Sequence, residues 1–389
     1  MRRVPRGAVT LLAPLTFAVP VVAGQTVAQG GRQSVITTFS YTTELVQNVA
    51  GGARPGATLP GVAGVQASLS LGSLVGWPGA RLFVFGLATH GGAPGGFVGD
   101  VQGVSNLAAP ATVRLEEGWL QQNLFENRLS WLVGRFDLNA EFYRLQSGAL
   151  FINSSFGIGP EFSHSGIAGP SIFPNTTVGT RLEYKPARNV VWRAAALDGP
   201  MFISEVALLR RADTAGLPRE RRFGIGRGFM RSYAAKLALG AWYYTARFSD
   251  LSDSARHQGS GGAYLIGDLT LRSAAAFVQL GLGDGRVNQI GRYVGGGVTF
   301  APSPSRAQDM VGLAVAAARN GSHFERAPAT AGIPTAGETT VELTYLAQIG
   351  SWLSVQPDAQ YVIHPRGTRL LRNATVLGLR VAISHCAGC

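Results

Sequence analysis

Cysteine is nearly missing from this chain of 389 residues, with only Cys386 and Cys389 at its C-terminal end. A zinc site takes about four ligands, and beside this lone Cys-x-x-Cys only His385 is at hand, so a small disulfide is the favoured reading. Lysine occurs only as Lys185 and Lys236, and the formal charge of +12 is therefore almost wholly arginine. Those arginines are scattered through alternating segments without a nucleic-acid motif, which argues against a nucleic-acid partner. Only 14% of residues are charged while 52 are glycine, a poor match to a soluble α/β enzyme. Beyond the N-terminal segment, no uncharged apolar run reaches the roughly 20 residues of a membrane helix. His90, His164, His257, His323, His364 and His385 lie far apart, and no Gly-x-Ser-x-Gly elbow is present. Gly224-Ile225-Gly226-Arg227-Gly228 does not open a helix after a strand, so it fails as a nucleotide loop. No catalytic set, metal or cofactor is expected.

What is present is a basic N-terminus, a short apolar stretch, and then many short alternating segments. Arg2, Arg3 and Arg6 precede apolar Leu11 to Val22, with small residues at Ala23 and Ala28, so 1–28 reads as a secretory signal peptide and 29–389 as one domain. Pro14 and Pro20 interrupt the stretch, which counts against a spanning helix. Strands of period 2 are expected near 33–46, 63–74, 80–89, 113–124, 128–137, 176–185, 189–198, 233–247, 261–271, 273–283, 291–301, 309–318, 338–349, 351–362 and 373–384. With 46% hydrophobic residues dispersed in this way, the fold class is all-β, a transmembrane antiparallel barrel. These are fifteen segments, and a bacterial single-chain barrel has an even number. The missing strand is expected at 201–209 or 149–155, with the consecutive long links 199–232 and 248–260 favouring a place upstream of 261. Phe125-Glu126-Asn127, Arg272 and Gly350 leave room only for tight periplasmic turns; 90–112, 138–175 and 319–337 become outer or infolded loops. The stretch 209–231 carries Arg210, Arg211, Arg219, Arg221, Arg222, Arg227 and Arg231, read as a solvated loop or as a contact for anionic lipopolysaccharide or acidic sugars.

Alternation also sorts the polar residues. Leu115, Glu117, Trp119 and Gln121 are expected on one face of their strand, and Val133, Arg135 and Asp137 on one face of the next, leaving Gly134 and Phe136 for lipid. If 125–127 form the turn, Leu124 lies opposite Arg128, Trp119 opposite Val133, and Glu117 opposite Arg135 as a cross-strand ion pair. The polar, Gly-rich run Gly99 to Asn106 places Asp100, Gln102 and Asn106 at a pore mouth, in an inward loop or in a structural clasp. Gln356, Asp358 and Gln360 share a face, and Arg380 on the last strand faces the lumen. A channel for sugars needs hydrogen-bonding groups at its constriction and an aromatic ring to receive the pyranose face. The set around Glu117, Trp119, Gln121, Arg135 and Asp137 offers these, and it would serve equally to stabilise the wall.

Several motifs occur in one order along the chain: Gly99-Asp100-Val101-Gln102-Gly103-Val104-Ser105-Asn106, Glu117-Gly118-Trp119, Gly134-Arg135-Phe136-Asp137-Leu138-Asn139, Phe151-Ile152-Asn153-Ser154-Ser155-Phe156-Gly157, Leu197-Asp198-Gly199-Pro200, Gln356-Pro357-Asp358 and Val376-Leu377-Gly378-Leu379-Arg380. Together they resemble the carbohydrate-selective porins, the OprB family of bacterial outer membranes. The resemblance implies sixteen strands, and maps a Glu-x-Trp and a Gly-Lys/Arg-x-Asp motif onto Glu117, Trp119, Gly134, Arg135 and Asp137. It further implies an outer-membrane porin passing glucose and other small sugars passively into the periplasm. The implied partners are sugars, outer-membrane lipid and lipopolysaccharide, the barrel-assembly machinery, and a possible homo-oligomer. Family members commonly end in an aromatic residue that serves barrel insertion, where this chain has His385. A general or anion-preferring porin, a barrel-borne hydrolase and an adhesin-like barrel are the competing expectations.

Overall fold

The computed structural model describes residues 34–211, 233–271, 273–306, 308–327 and 332–389. The expected signal peptide, the Gly224–Gly228 stretch, Arg272 and all but the start of the Arg-rich segment lie outside the described residues.

Strands run β1 Val35–Gly52, β2 Gly56–Thr58, β3 Gly61–Ser70, β4 Ala80–His90, β5 Thr112–Leu124, β6 Leu129–Phe136, β7 Thr177–Ala187, β8 Val190–Leu197, β9 Met201–Arg211, β10 Tyr233–Ser249, β11 Arg256–Thr270, β12 Ala274–Gly283, β13 Ile290–Phe300, β14 Met310–Asn320, β15 Glu338–Gln348, β16 Leu353–Ile363 and β17 Arg372–Ala387. Apart from the three-residue β2, each pairs antiparallel with its sequence neighbours, and β17 closes onto β1 over a register from Thr37↔Ala387 to Gly52↔Arg372. The result is a closed barrel of sixteen strands. Closure satisfies the backbone of every strand without leaving an edge, which is what makes a sheet viable in lipid.

The sixteenth strand is β9, which pairs with β8 across the short link 198–200; 149–155 instead forms short 3-10 turns inside a loop. With β9 in place, β9 ends and β10 begins on the same side as the turns at 125–128, 188–189 and 349–352.

Alternation is inverted relative to a soluble protein. Val65, Leu239, Val294 and Leu377 are exposed on the outer face, while Thr42, Glu44, Thr340, Glu342 and Gln360 are buried on the inner one. Two long loops fill part of the interior, 91–111 between β4 and β5 and 137–176 between β6 and β7. The second brings Phe142, Tyr143, Phe151, Phe156 and Phe162 into an aromatic cluster with the wall. Phe162 stacks on Trp242 at 4.1 Å, Tyr143 lies 4.4 Å from Tyr264, and Phe151 lies 5.6 Å from Phe277. Glycine lets the loop approach the wall: a Cβ at Gly312 would fall 2.7 Å from the Phe151 ring, and one at Gly281 would collide with Glu161.

The lumen as a candidate functional site

Strand β5 does not alternate strictly. Phe85 pairs with Glu117 and the next residue, Gly86, with Leu115, so Glu116 is the extra residue of a bulge. A bulge shifts the side-chain phase by one, and Leu115, expected beside Glu117, is 52% exposed on the lipid face. Glu116 and Glu117 are both buried, with Arg114 holding Glu116 at 3.0 Å. Beyond the bulge the inner face carries Glu117, Trp119 and Gln121. The Trp119 indole N–H donates to Glu117 at 3.0 Å, and its ring stacks on Phe83 at 4.9 Å. Gln121 accepts from Arg181 at 3.2 Å and donates to Asn123 at 2.9 Å.

The β5–β6 register also departs from the expected one. The turn takes four residues, with Phe125, Glu126 and Asn127 all at positive φ and the Arg128 N–H donating to the Phe125 carbonyl at 3.0 Å. Leu124 therefore faces Leu129, Trp119 faces Gly134, and Gly118, not Glu117, faces Arg135. One residue of slip exchanges the two faces. Leu132 and Phe136 turn inward and are buried, whereas Trp131, Val133 and Arg135 share the outward face. Arg135 bonds to the Thr176 backbone carbonyl, which ties β6 to the end of the 137–176 loop. The Glu117–Arg135 pair does not form. Asp137 opens that loop instead, accepting the Asn139 N–H at 2.7 Å, and burial pushes its carboxyl up to about 6.

The ionic groups of the lumen lie elsewhere. Arg181 on β7 holds Glu141 of the loop at 3.0 Å, and Arg193 on β8 reaches Glu183 at 2.6 Å and Glu141 and Glu205 at 3.8 Å. Lys236 on β10 lies 3.3 Å from Glu205. The Glu141 and Arg193 side chains keep 21% and 22% of their surface exposed, so they present charge to the lumen. Alternation alone puts Arg181, Glu183 and Arg193 on inner faces, a signal open to sequence reasoning; Glu141 gave none, since it sits in a loop.

The remaining expected residues are anchors. Asp100 accepts the Val104 N–H at 2.8 Å, its carboxyl raised by burial. Gln102 bonds to Ala316 and Thr340 at 3.4 Å and accepts from Ser155 at 3.2 Å. Arg380 faces inward, holding Glu44 and Asn106 at 2.7 Å each, and Asp358 accepts from Gln360 at 2.9 Å. Beside these bonds, other inward groups of the wall seize the backbone of the two loops. Glu205 accepts the Tyr143 N–H at 3.0 Å and Asp268 the Gln146 N–H at 2.6 Å. Gln279 and Tyr293 donate to the Ser155 carbonyl. Glu338 takes the Val101 and Gln102 N–H groups, and Glu342 those of Ile152 and Asn153 at 2.6 and 2.9 Å. Gln356 and Gln360 donate to the Leu150 and Val104 carbonyls. Anchors thus come from β9, β11, β12, β13, β15 and β16. The loops lie against that wall, and the inner faces of β4, β5 and β8 carry the partly buried polar side chains Arg81, Gln121 and Arg193.

A closed barrel with an apolar outer belt, a polar interior and loops pinned inside it is a porin, a class that carries solutes through the bacterial outer membrane. The sequence matches the carbohydrate-selective porin, OprB family over residues 54–384, and the chain belongs to that family. Among solved structures it is similar to the high-pH structure of Pseudomonas putida OprB, at 19% identity and a TM-score of 0.76, over 90% of this chain and 94% of that one. It is also similar to the outer membrane channel DcaP of Acinetobacter baumannii, at 12% identity and a TM-score of 0.55, over 94% of this chain and 100% of that one. A mutant porin of Rh. blastica aligns at 10% identity and a TM-score of 0.53, over 90% and 99% of the two chains. At these identities the likeness concerns the fold. No curated protein matches the chain. Family and barrel indicate an outer-membrane channel of a Gram-negative bacterium rather than an enzyme.

Proposed function

We propose that the channel carries glucose and other small neutral sugars down their gradient into the periplasm, with residues 1–28 serving as the export signal. The observation that carries this reading is the partly exposed Glu141–Arg193 pair, linked through Arg181 to Gln121, two residues from Trp119 on β5. Paired charges offer fixed donors and acceptors to sugar hydroxyls while cancelling each other's long-range field. Trp119, 9% exposed and stacked on the buried Phe83, is the aromatic ring we place beside the sugar path. Contacts of this kind are weak and repeated, as conduction requires.

An anion-preferring pore, the competing reading suggested by the arginine excess, is disfavoured because Arg181, Arg193 and Lys236 each face a carboxylate within 4 Å. Outside the lumen the exposed belt meets lipid, and His385 takes the place at which the family's barrels commonly present an aromatic residue to the assembly machinery. The test is swelling of liposomes holding the refolded protein, in glucose, in neutral amino acids of equal size and in chloride salts. Faster glucose uptake supports the reading. Equal rates for all solutes reduce it to a general porin, and faster chloride uptake reverses it.

A further inference from the structure

Arg81 is a cation of the inner wall that passage of neutral sugars leaves unused. It is the second residue of β4, on the side of the 125–128 turn, and shares the inward phase of the buried Phe83, Phe85 and Leu87. Its register partners are Ser70 on β3 and Gln121 on β5. Arg181, Arg193 and Lys236 each lie within 4 Å of a carboxylate. Among the described residues the Arg81 side chain has no ion pair and no hydrogen bond, and its nitrogens are reached by solvent. Strands β3 and β4 carry no acidic residue. On β5 the carboxylate nearest to Gln121 is Glu117, roughly 13 Å back along the strand and so beyond the Debye length of about 8 Å. The groups beside Arg81 are uncharged: Ser68 and Ser70 on β3, Gln121 and Asn123 on β5. Gln121 joins it to the polar row of the lumen, since Gln121 accepts from Arg181, which holds Glu141. A lone guanidinium open to the lumen presents a fork of N–H donors that fits a carboxylate in bidentate fashion. A phosphate ester carries nearly two negative charges at neutral pH and calls for a second free cation, which the paired neighbours do not supply. One uncompensated charge among hydroxyl and amide groups matches one carboxylate on a polyhydroxylated body.

We propose that Arg81 forms a carboxylate subsite through which the channel also accepts acidic monosaccharides, the aldonates and uronates. Arg81 holds the carboxylate, beside the hydrogen-bonding groups of Ser70 and Gln121. The inference rests on the lumen being a sugar path and extends its substrates from neutral to singly charged sugars. A single free charge acts at one place and leaves the paired charges of the lumen balanced, so the channel does not become a general anion pore.

The test is binding of glucose, glucuronate and acetate to the full-length refolded protein in planar bilayers, read from the current noise that each solute adds. Wild type should bind glucuronate about tenfold more tightly than glucose, the effect of one charge-assisted hydrogen bond. Arg81→Ala should erase that difference, and Arg81→Lys should keep part of it, because charge remains without the bidentate fork. Removing Arg81 leaves no partner unmet, and heat-modifiable migration on gels checks that the barrel is intact. The same glucuronate-to-glucose ratio in wild type and Arg81→Ala, or no glucuronate binding by wild type, would overturn the subsite. Acetate bound as tightly as glucuronate would overturn the sugar assignment in favour of a simple anion site. If glucose adds no noise while glucuronate binding still falls in Arg81→Ala, the neutral-sugar reading fails and the subsite stands.

Discussion

Removing Glu342 probes how the loop is held in the lumen. Its buried carboxyl accepts the Ile152 and Asn153 N–H groups, so Glu342→Ala leaves two buried donors unmet. At about 1–3 kcal/mol for each, the docked loop tip loses about 2–6 kcal/mol. Against that stand Phe151 and Phe156, 2% and 0% exposed, packed on Phe277 at 5.6 and 6.0 Å. Their burial contributes about 1.5–3 kcal/mol apiece, and the Gln356 bond to the Leu150 carbonyl at 2.7 Å survives. The two terms are of similar size, so the single variant should leave the tip docked for part of the time. Single-channel recordings in planar bilayers should then show added current noise at nearly wild-type mean conductance. Adding Phe156→Ala removes about 3–5 kcal/mol more and should tip the balance. The double variant should conduct more, admit oligosaccharides that wild type excludes in liposome swelling, and lose preference for glucose over amino acids. Wild-type conductance and size cut-off in a folded double variant would refute the idea that these contacts hold the constriction.

Trp119→Ala should reduce glucose preference several-fold in the swelling assay with little change in salt conductance, because it removes the ring stacked on Phe83 and leaves the charges in place; unchanged preference would take Trp119 out of the sugar path. Arg193→Ala removes one positive charge facing Glu141, Glu183 and Glu205. Reversal potentials should shift toward cation preference, and no shift would place the pair off the ion path. Burial holds the Glu161 carboxyl up at about 8, above its ordinary 4.5. Between those values the docked loop keeps a proton that a released loop gives up, so docking is firmest below about 4.5 and weakens as pH rises toward 8. Protease sensitivity of the 137–176 loop should rise across that window in wild type and stay flat in Glu161→Gln; parallel profiles would remove Glu161 as the cause.

The barrel was legible because its strands carry a period-2 pattern set by lipid outside and polar groups inside, and even β9 could be placed from the crowding of long links. Register was less legible. The bulge at Glu116 and the four-residue turn through three left-handed residues each shift the phase by one, and neither leaves a glycine or proline at the critical position to announce it. Arg135 accordingly faces outward, although its motif pointed to the lumen. The anchoring pairs were out of reach for another reason. Glu338 meets Gln102 across 236 residues and Glu342 meets Ile152 across 190, and the loop partner is a backbone N–H that every residue but proline possesses.

That last point bears on how such a channel can change. Because Glu205, Asp268, Glu338 and Glu342 grip main-chain N–H groups of the loops, with the Ser147 hydroxyl on Asp268 as an added side-chain contact, a substitution at the gripped positions leaves these main-chain bonds unaltered unless it introduces proline. The pore can therefore be retuned by mutation of its inner loops one residue at a time, each intermediate still held in place. A lineage, or an engineer, could move from one solute to another without passing through a barrel whose constriction has come loose.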